Sequence, residues 1–211
     1  MIGNGYRTIV IFGGDSALND TVNCLMQEKR EVRESIVLGV IPNGVMNDFA
    51  HFWGFDEDNI EQTIEWLKAR RVRKIDLGCI RYKNREGDSC HRYFLNCINI
   101  GLIATIMNLR RRTRNLFGSR SLSFIFSFIL LFFQRMDFYM HPNAVPYNGL
   151  LDVSVVYHSE VTQLFEGIYL FLRGRFLNYK SVHPYRTQEV TMHVEPRTLV
   201  GIDGRLMPKT P

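Results

Sequence analysis

Residues 8–17 read Thr8-Ile9-Val10-Ile11-Phe12-Gly13-Gly14-Asp15-Ser16-Ala17, and residues 36–50 read Ile36-Val37-Leu38-Gly39-Val40-Ile41-Pro42-Asn43-Gly44-Val45-Met46-Asn47-Asp48-Phe49-Ala50. In each stretch a β-branched apolar run empties into a glycine-bearing polar turn. The runs predict neighbouring parallel strands, and turns at their carboxyl ends fall where open α/β sheets bind ligands. Glycine lets backbone N–H groups approach a phosphate closely, and the helix that follows adds its positive end. A carboxylate placed there, Asp15 or Asp48, can manage the magnesium of a nucleotide. The competing reading of either turn is architectural, with glycine supplying positive φ and Asp or Asn capping a helix. One turn alone does not separate the two readings; a pair at adjacent strand ends favours a nucleotide site.

The ordered motifs resemble the diacylglycerol kinase catalytic-domain family, which includes bacterial soluble lipid kinases. That family carries Gly-Gly-Asp-Gly-Thr followed by Leu-Asn-x-x-x-Asn, and Leu18, Asn19 and Asn23 keep the tail. Its second turn, Pro-x-Gly-Thr-x-Asn-Asp-Phe-Ala, is kept as Pro42, Gly44, Asn47, Asp48, Phe49 and Ala50. Similarity continues through Lys74-Ile75-Asp76-Leu77-Gly78, Tyr93-Phe94-Leu95-Asn96, Ile100-Gly101, Gly149-Leu150-Leu151-Asp152-Val153 and Asp203-Gly204. This succession is more specific than the first turn, which NAD kinases and phosphofructokinases share. The resemblance implies a Rossmann-like NAD-kinase/diacylglycerol-kinase α/β lobe packed on a β-rich, sandwich-like second lobe. It implies transfer of the γ-phosphoryl group of ATP, with Mg2+, to the hydroxyl of a diacylglycerol-like lipid at a membrane surface. By the same resemblance Gly13, Gly14, Asp15, Asn19, Gly44 and Asn47 bind the nucleotide, and Asp15 and Asp152 serve magnesium. Asp15, Asp48 and Asp203 form the catalytic set, with Asp203 facing the acceptor.

The departures point toward a degenerate site. Ser16-Ala17 replaces the family's Gly-Thr, Val45 its second threonine, Asn148 the first aspartate of its Asp-Gly-Leu-Leu-Asp segment, and Arg205 the glutamate of its closing Asp-Gly-Glu. That glutamate resembles a general base; arginine keeps its proton at any working pH. Asparagine at 148 brings no charge to a hard cation. The family usually opens with further βα units carrying an Asn-Pro phosphate turn, so an N-terminally shortened lobe is expected here. The alternative function is accordingly a catalytically degenerate member that binds lipid or nucleotide.

Strand-like runs are expected at residues 7–12, 36–41, 72–77, 92–100, 152–158 and 189–194, and helices at 17–28, 49–55, 58–70 and 162–173. Residues 81–91 read as a hairpin loop, and Asn148-Gly149 is a hairpin cue. The change of pattern puts a boundary near residue 71, with an α/β nucleotide lobe over 1–70 and a β-rich lipid-substrate lobe over 71–211.

A chain of 211 residues that is 45% hydrophobic and 22% charged has the composition of a folded protein. Its net charge of +5 favours anionic partners. The densest charge is Arg110-Arg111-Arg112-Thr113-Arg114, just before an apolar stretch at 122–133 that is too short to span a bilayer. Arg110, Arg111, Arg112 and Arg114 are therefore expected to touch an anionic membrane peripherally. No recognition module accompanies them, so nucleic acid is not expected as a partner. Cys24, Cys79, Cys90 and Cys97 lack zinc-ligand spacing and read as free thiols of a cytoplasmic protein. A homodimer completing the nucleotide pocket is left open.

Overall fold

The computed structural model describes residues 2–44, 47–84, 86–101, 144–156, 170, 175–180, 182–194 and 198–207. Among them the elements run β1 (Thr8–Gly13), α1 (Asp15–Leu25), α2 (Arg30–Glu34), β2 (Val37–Pro42), α3 (Asp48–Phe52), α4 (Ile60–Lys68), β3 (Gly78–Lys83), β4 (Ser89–Phe94), β5 (Ile98–Ile100), β6 (Leu151–Val156), β7 (Val182–Thr187), β8 (Val200–Ile202) and β9 (Arg205–Leu206). This is a mixed α/β structure with several small sheets. Arg110, Arg111, Arg112, Arg114, the apolar stretch at 122–133 and, apart from Leu170, the helix expected over 162–173 lie outside the described residues.

The chain divides into two compact units, Met1–Leu109 with Val194–Pro211, and Arg110–His193. In the first, β1 and β2 pair in parallel, with Ile9, Ile11, Leu38 and Val40 directed toward α1. Helix α1 answers with Leu18 and Val22, which share its buried face with Asp15, Asn19 and Leu25 at helical spacing. Removing each such aliphatic side chain from water stabilises the fold by about 1.5–3 kcal/mol. Helix α4 covers the other face, where a Cβ on Gly39 would meet Leu67 at 2.8 Å. Its N-cap is Asn59, whose side chain accepts the Gln62 N–H at 3.2 Å.

The antiparallel hairpin β3–β4 links two cores through the alternation of one strand. Tyr93 and Leu95 pack on the α1 cluster, while Phe94 joins Ile98, Ile100, Val200 and Ile202 in a second cluster over the β5–β8–β9 sheet. In the second unit, β6 and β7 form an antiparallel ribbon in register from Leu151 opposite Thr187 to Val156 opposite Val182.

Two expected strands are absent. Residues 72–77 run as an irregular connection whose first members are exposed, Val72 at 65%, and the strand begins at Gly78. Residues 189–194 are exposed throughout, so their β-branched composition has nothing to pack against, and the strand lies earlier, at β7. The run expected at 92–100 is broken over Leu95–Cys97, because those three amides are drawn to a side chain, Asp203.

Candidate functional site

Gly13 of β1 stands opposite Pro42 of β2, so both glycine turns leave the same end of the parallel pair. They approach until backbone meets backbone: a Cβ on Gly44 would lie 2.4 Å from Gly14 Cα and 2.9 Å from Gly14 N. No side chain fits there. Asn47 closes the second turn on itself, its side-chain oxygen accepting the Gly44 N–H at 2.9 Å and its amide donating to the Gly44 carbonyl at 3.2 Å.

Asp15 opens α1 but turns its buried carboxylate to α3. Oδ2 accepts the Asp48 N–H at 2.9 Å and Oδ1 the Phe49 N–H at 3.1 Å, so one turn's acid caps the helix that follows the other. Burial, and then the charge of Asp48, push the Asp15 pKa up to about 6; the Phe49 and Asp48 N–H groups pull it down, and Asp203 adds to the rise. Asp48 itself lies exposed at the first turn of α3.

Asp203 occupies the turn between β8 and β9, where it and Gly204 have φ of 43° and 76°, the paired positive values of a tight hairpin turn. Its carboxylate, expected to face an acceptor hydroxyl, is enclosed by four donors. Asn19 Nδ2 and Leu95 N reach Oδ2 at 2.7 and 2.8 Å, and Asn96 N and Cys97 N reach Oδ1, each at 3.0 Å. A carboxylate has about four lone-pair sites, so this one is saturated. Burial, and then Asp203, Asp48 and Asp15, push the neighbouring Cys97 thiol up to about 12.

Asn19 is likewise satisfied. Its amide also donates to the Tyr93 carbonyl at 2.9 Å, and its oxygen accepts Arg92 Nε and Nη2 at 3.0 and 2.7 Å. One helical turn on, Asn23 exchanges hydrogen bonds with the Tyr93 backbone in both directions, at 2.9 and 3.0 Å. The Leu-Asn-x-x-x-Asn tail thus latches α1 to β4. Next to it, Asp20 receives Arg92 at 2.6 Å on one oxygen and Arg205 on the other. Arg205 is therefore engaged by a carboxylate.

The structure brings Gly13, Gly14, Asp15, Asn19, Gly44, Asn47, Asp48 and Asp203 into one unit, with Asp48 and Asp203 both in electrostatic reach of Asp15. Asp152 belongs to the other unit, where Arg186 pairs with it at 2.8 Å across the β6–β7 ribbon. Asn148 Oδ1 accepts the Leu150 N–H at 3.0 Å and Gly149 has φ of 70°, which is turn chemistry. Sequence reasoning missed Asp20, Arg92, the Tyr93 backbone and the Leu95–Cys97 amides. The i,i+4 spacing of Asn19 and Asn23 signals a shared polar face, but not which strand receives it. His51 lies 2.6 Å from Glu57. Asp15 and Asp48 offer only oxygen and repel one another, a donor set that suits a hard divalent cation.

A family model of the diacylglycerol kinase catalytic domain matches residues 1–80, and one of the YegS C-terminal NAD kinase beta sandwich-like domain matches residues 137–211. A probable lipid kinase, YegS-like, from Chromohalobacter salexigens is 34% identical over 104 residues, 49% of this chain and 30% of that protein. A protein of the same description from Shewanella frigidimarina is 32% identical over 105 residues, 50% of this chain and 30% of the relative. A diacylglycerol kinase from Staphylococcus carnosus is 27% identical over 101 residues, 48% of this chain and 28% of the relative. The chain therefore spans less than a third of the length of these relatives in each match.

Proposed function

This chain belongs to the diacylglycerol kinase catalytic-domain family, and we propose that it acts as an ATP-dependent lipid kinase, phosphorylating the hydroxyl of a diacylglycerol-like lipid. The observation that carries the reading is the Asp15 carboxylate bonded to the Asp48 and Phe49 N–H groups, which fastens two glycine turns together at the carboxyl ends of parallel strands. In this proposal the β1–β2 layer is part of a Rossmann-like nucleotide lobe. Gly13 and Gly14 form the turn that admits phosphate oxygens, Gly44 lets the second turn close against it, and Asp15 and Asp48 hold Mg2+. The cation supplies neutralisation of phosphate charge. Asp48, the exposed member, faces the acceptor hydroxyl, while Asn19, Asn47 and Asp203 keep the turns in place.

Phosphoryl transfer depends on positioning and charge more than on a strong base, so the loss of the family's closing glutamate does not by itself exclude it. The acceptor's chemistry places the work at a membrane surface, on a cytoplasmic protein. Transfer of labelled phosphate from ATP to diacylglycerol in mixed micelles tests the proposal, with Asp15→Ala as the inactive control. A second reading, a binding module without turnover, is favoured by Arg205, which stands where the family has that glutamate and pairs with Asp20. Nucleotide binding that persists with no transfer selects it.

A further inference from the structure

We propose that His51, Asp56 and Glu57 form a binding site for a divalent first-row transition-metal ion, separate from the Asp15–Asp48 pair that the kinase reading gives to Mg2+. The inference does not depend on that reading. Helix α3 ends at Phe52, and the Trp53 and Gly54 N–H groups fold back onto the Ala50 and His51 carbonyls at 3.1 and 2.9 Å. Gly54, with φ of 81°, reverses the chain. The Phe55 N–H then returns to the Ala50 carbonyl at 2.9 Å, while its ring packs on Trp66. Asp56 and Glu57 are thereby carried back beside His51, until one ligand atom from each of the three lies within 4.8 Å of the other two. Among the described residues no other three histidine, cysteine or carboxylate side chains come this close.

His51 Nε2 and Glu57 Oε2 are 2.6 Å apart, a hydrogen-bond separation. A cation bonded to both at about 2.1 Å holds its ligand atoms about 3–3.5 Å apart, so it replaces the proton between them after a small opening of the pair. Asp56 Oδ1 accepts the Asp58 N–H at 3.0 Å, which orients the carboxylate and uses one of its about four lone-pair sites. His51 is half-buried and both acids are exposed, so the side chains can close on an ion that enters from solvent. The nitrogen decides the metal. Mg2+ and Ca2+ favour all-oxygen ligands, whereas one imidazole with two carboxylates suits Mn2+, Fe2+ or Zn2+, and three protein ligands leave room for water. Burial acts to raise the Glu57 carboxyl pKa, but hydrogen bonds from His51, from its own backbone and from Asn47, with the His51 charge, hold it below the ordinary value. Asn47 is the residue that closes the Gly44 turn. An ion on Glu57 therefore braces the loop after α3 against that turn.

Titration of the full chain with Mn2+, followed by electron paramagnetic resonance, decides between this site and an ordinary surface ion pair. Mn2+ is a poor partner for the four thiols, and its spectrum reports a bonded imidazole nitrogen. Both the native chain and Asp15→Asn, which removes the other cation pair from play, are expected to bind Mn2+ with nitrogen coupling that millimolar Mg2+ does not displace. His51→Ala should abolish the coupling. Asp56→Asn and Glu57→Gln, whose amide still meets His51, should each weaken binding at least about tenfold. Asp58→Asn removes a neighbouring charge but no ligand, and should change binding less than about twofold. Thermal unfolding identifies any variant that fails to fold, and the remaining ones carry the comparison. The proposal is overturned by absence of binding, by Mn2+ bound without nitrogen coupling, by coupling that survives His51→Ala, or by an equal effect of Asp56→Asn and Asp58→Asn. Phosphate transfer forms no part of this measurement, so the kinase reading and the metal site stand or fall separately.

Discussion

Asn19 and Asp203 stand 184 positions apart and share a hydrogen bond of 2.7 Å, side-chain amide to carboxylate, with both residues 1% exposed. The closing hairpin is thereby tied to the first long helix, and the same carboxylate holds the amides of Leu95, Asn96 and Cys97. Asp203→Ala strips four donors, one buried and three part-buried, of their acceptor at once. Each stranded donor costs about 1–3 kcal/mol, and partial relaxation keeps the sum below the simple total, so a loss of about 3 kcal/mol is expected in urea unfolding. A loss under about 1 kcal/mol would mean that the carboxylate is dispensable to the fold.

Gly44→Ala forces a methyl group against the Gly14 backbone, which has no flexible side chain to move aside. Overpacking of this kind costs about 1–3 kcal/mol, and here it also pries apart the two turns. Nucleotide affinity should therefore fall with stability. Gly3→Ala, where nothing lies within 4 Å, is the control and should change neither. A Gly44→Ala protein with native affinity for ATP would remove the second turn from the binding site.

The pH dependence of stability has a definite sign at Asp15. Its pKa is about 6 in the folded chain against an ordinary 3.8, so the folded state keeps a proton over this interval that the unfolded chain has released. Stability from this group is fully present below the lower value and is lost as pH rises through the upper one. Asp15→Asn abolishes the titration. The unfolding free energy of the native chain, minus that of the variant, should increase by on the order of 2 kcal/mol from about pH 7 to about pH 4. Millimolar Mg2+ should flatten the difference by favouring the carboxylate. Parallel curves for the two proteins would show that the burial of Asp15 is not felt.

The two turns were legible because each combines a short-range strand signal with glycine, and local sequence is enough to form both. The helices expected at 17–28, 49–55 and 58–70 followed for the same reason, with boundaries displaced by a turn or less, as where α4 covers Ile60–Lys68, while the short α2 at Arg30–Glu34 was not expected. The hairpin was legible too, but its loop is Asn84–Asp88 where 81–91 was read as loop: residues 81–83 pair with 89–91 as strand, and Asn84 Oδ1 accepts from the Glu86 and Asp88 amides within one turn of chain. What sequence could not supply were the long-range captures. Nothing around Leu95–Cys97 announces that three consecutive amides leave the strand ladder for a carboxylate at position 203. Asp203-Gly204 offers two readings, a hairpin turn and a site residue. The turn reading is seen directly in its dihedral angles, and the four donors on the carboxylate are visible only in three dimensions. Nor does sequence announce that Asp20, on a distant helix, takes the Arg205 guanidinium.

That pairing constrains any attempt to restore the family's glutamate. Arg205→Glu would set a carboxylate against Asp20, exchanging an attraction for a repulsion while Arg92 remains the other partner of Asp20. Both side chains of the Arg205–Asp20 pair are close to half exposed, so solvent screens the change and about 1 kcal/mol of stability is the expected loss. Asp20→Asn in the same chain should recover most of it, because the amide no longer repels the new acid, yet still accepts from Arg92. If a missing acid is what limits phosphate transfer, the double variant should phosphorylate diacylglycerol faster than the native chain, and the single variant should gain less. A double variant that is as stable as the native chain and no faster would place the limit elsewhere, at the Ser16-Ala17 turn where the family carries Gly-Thr.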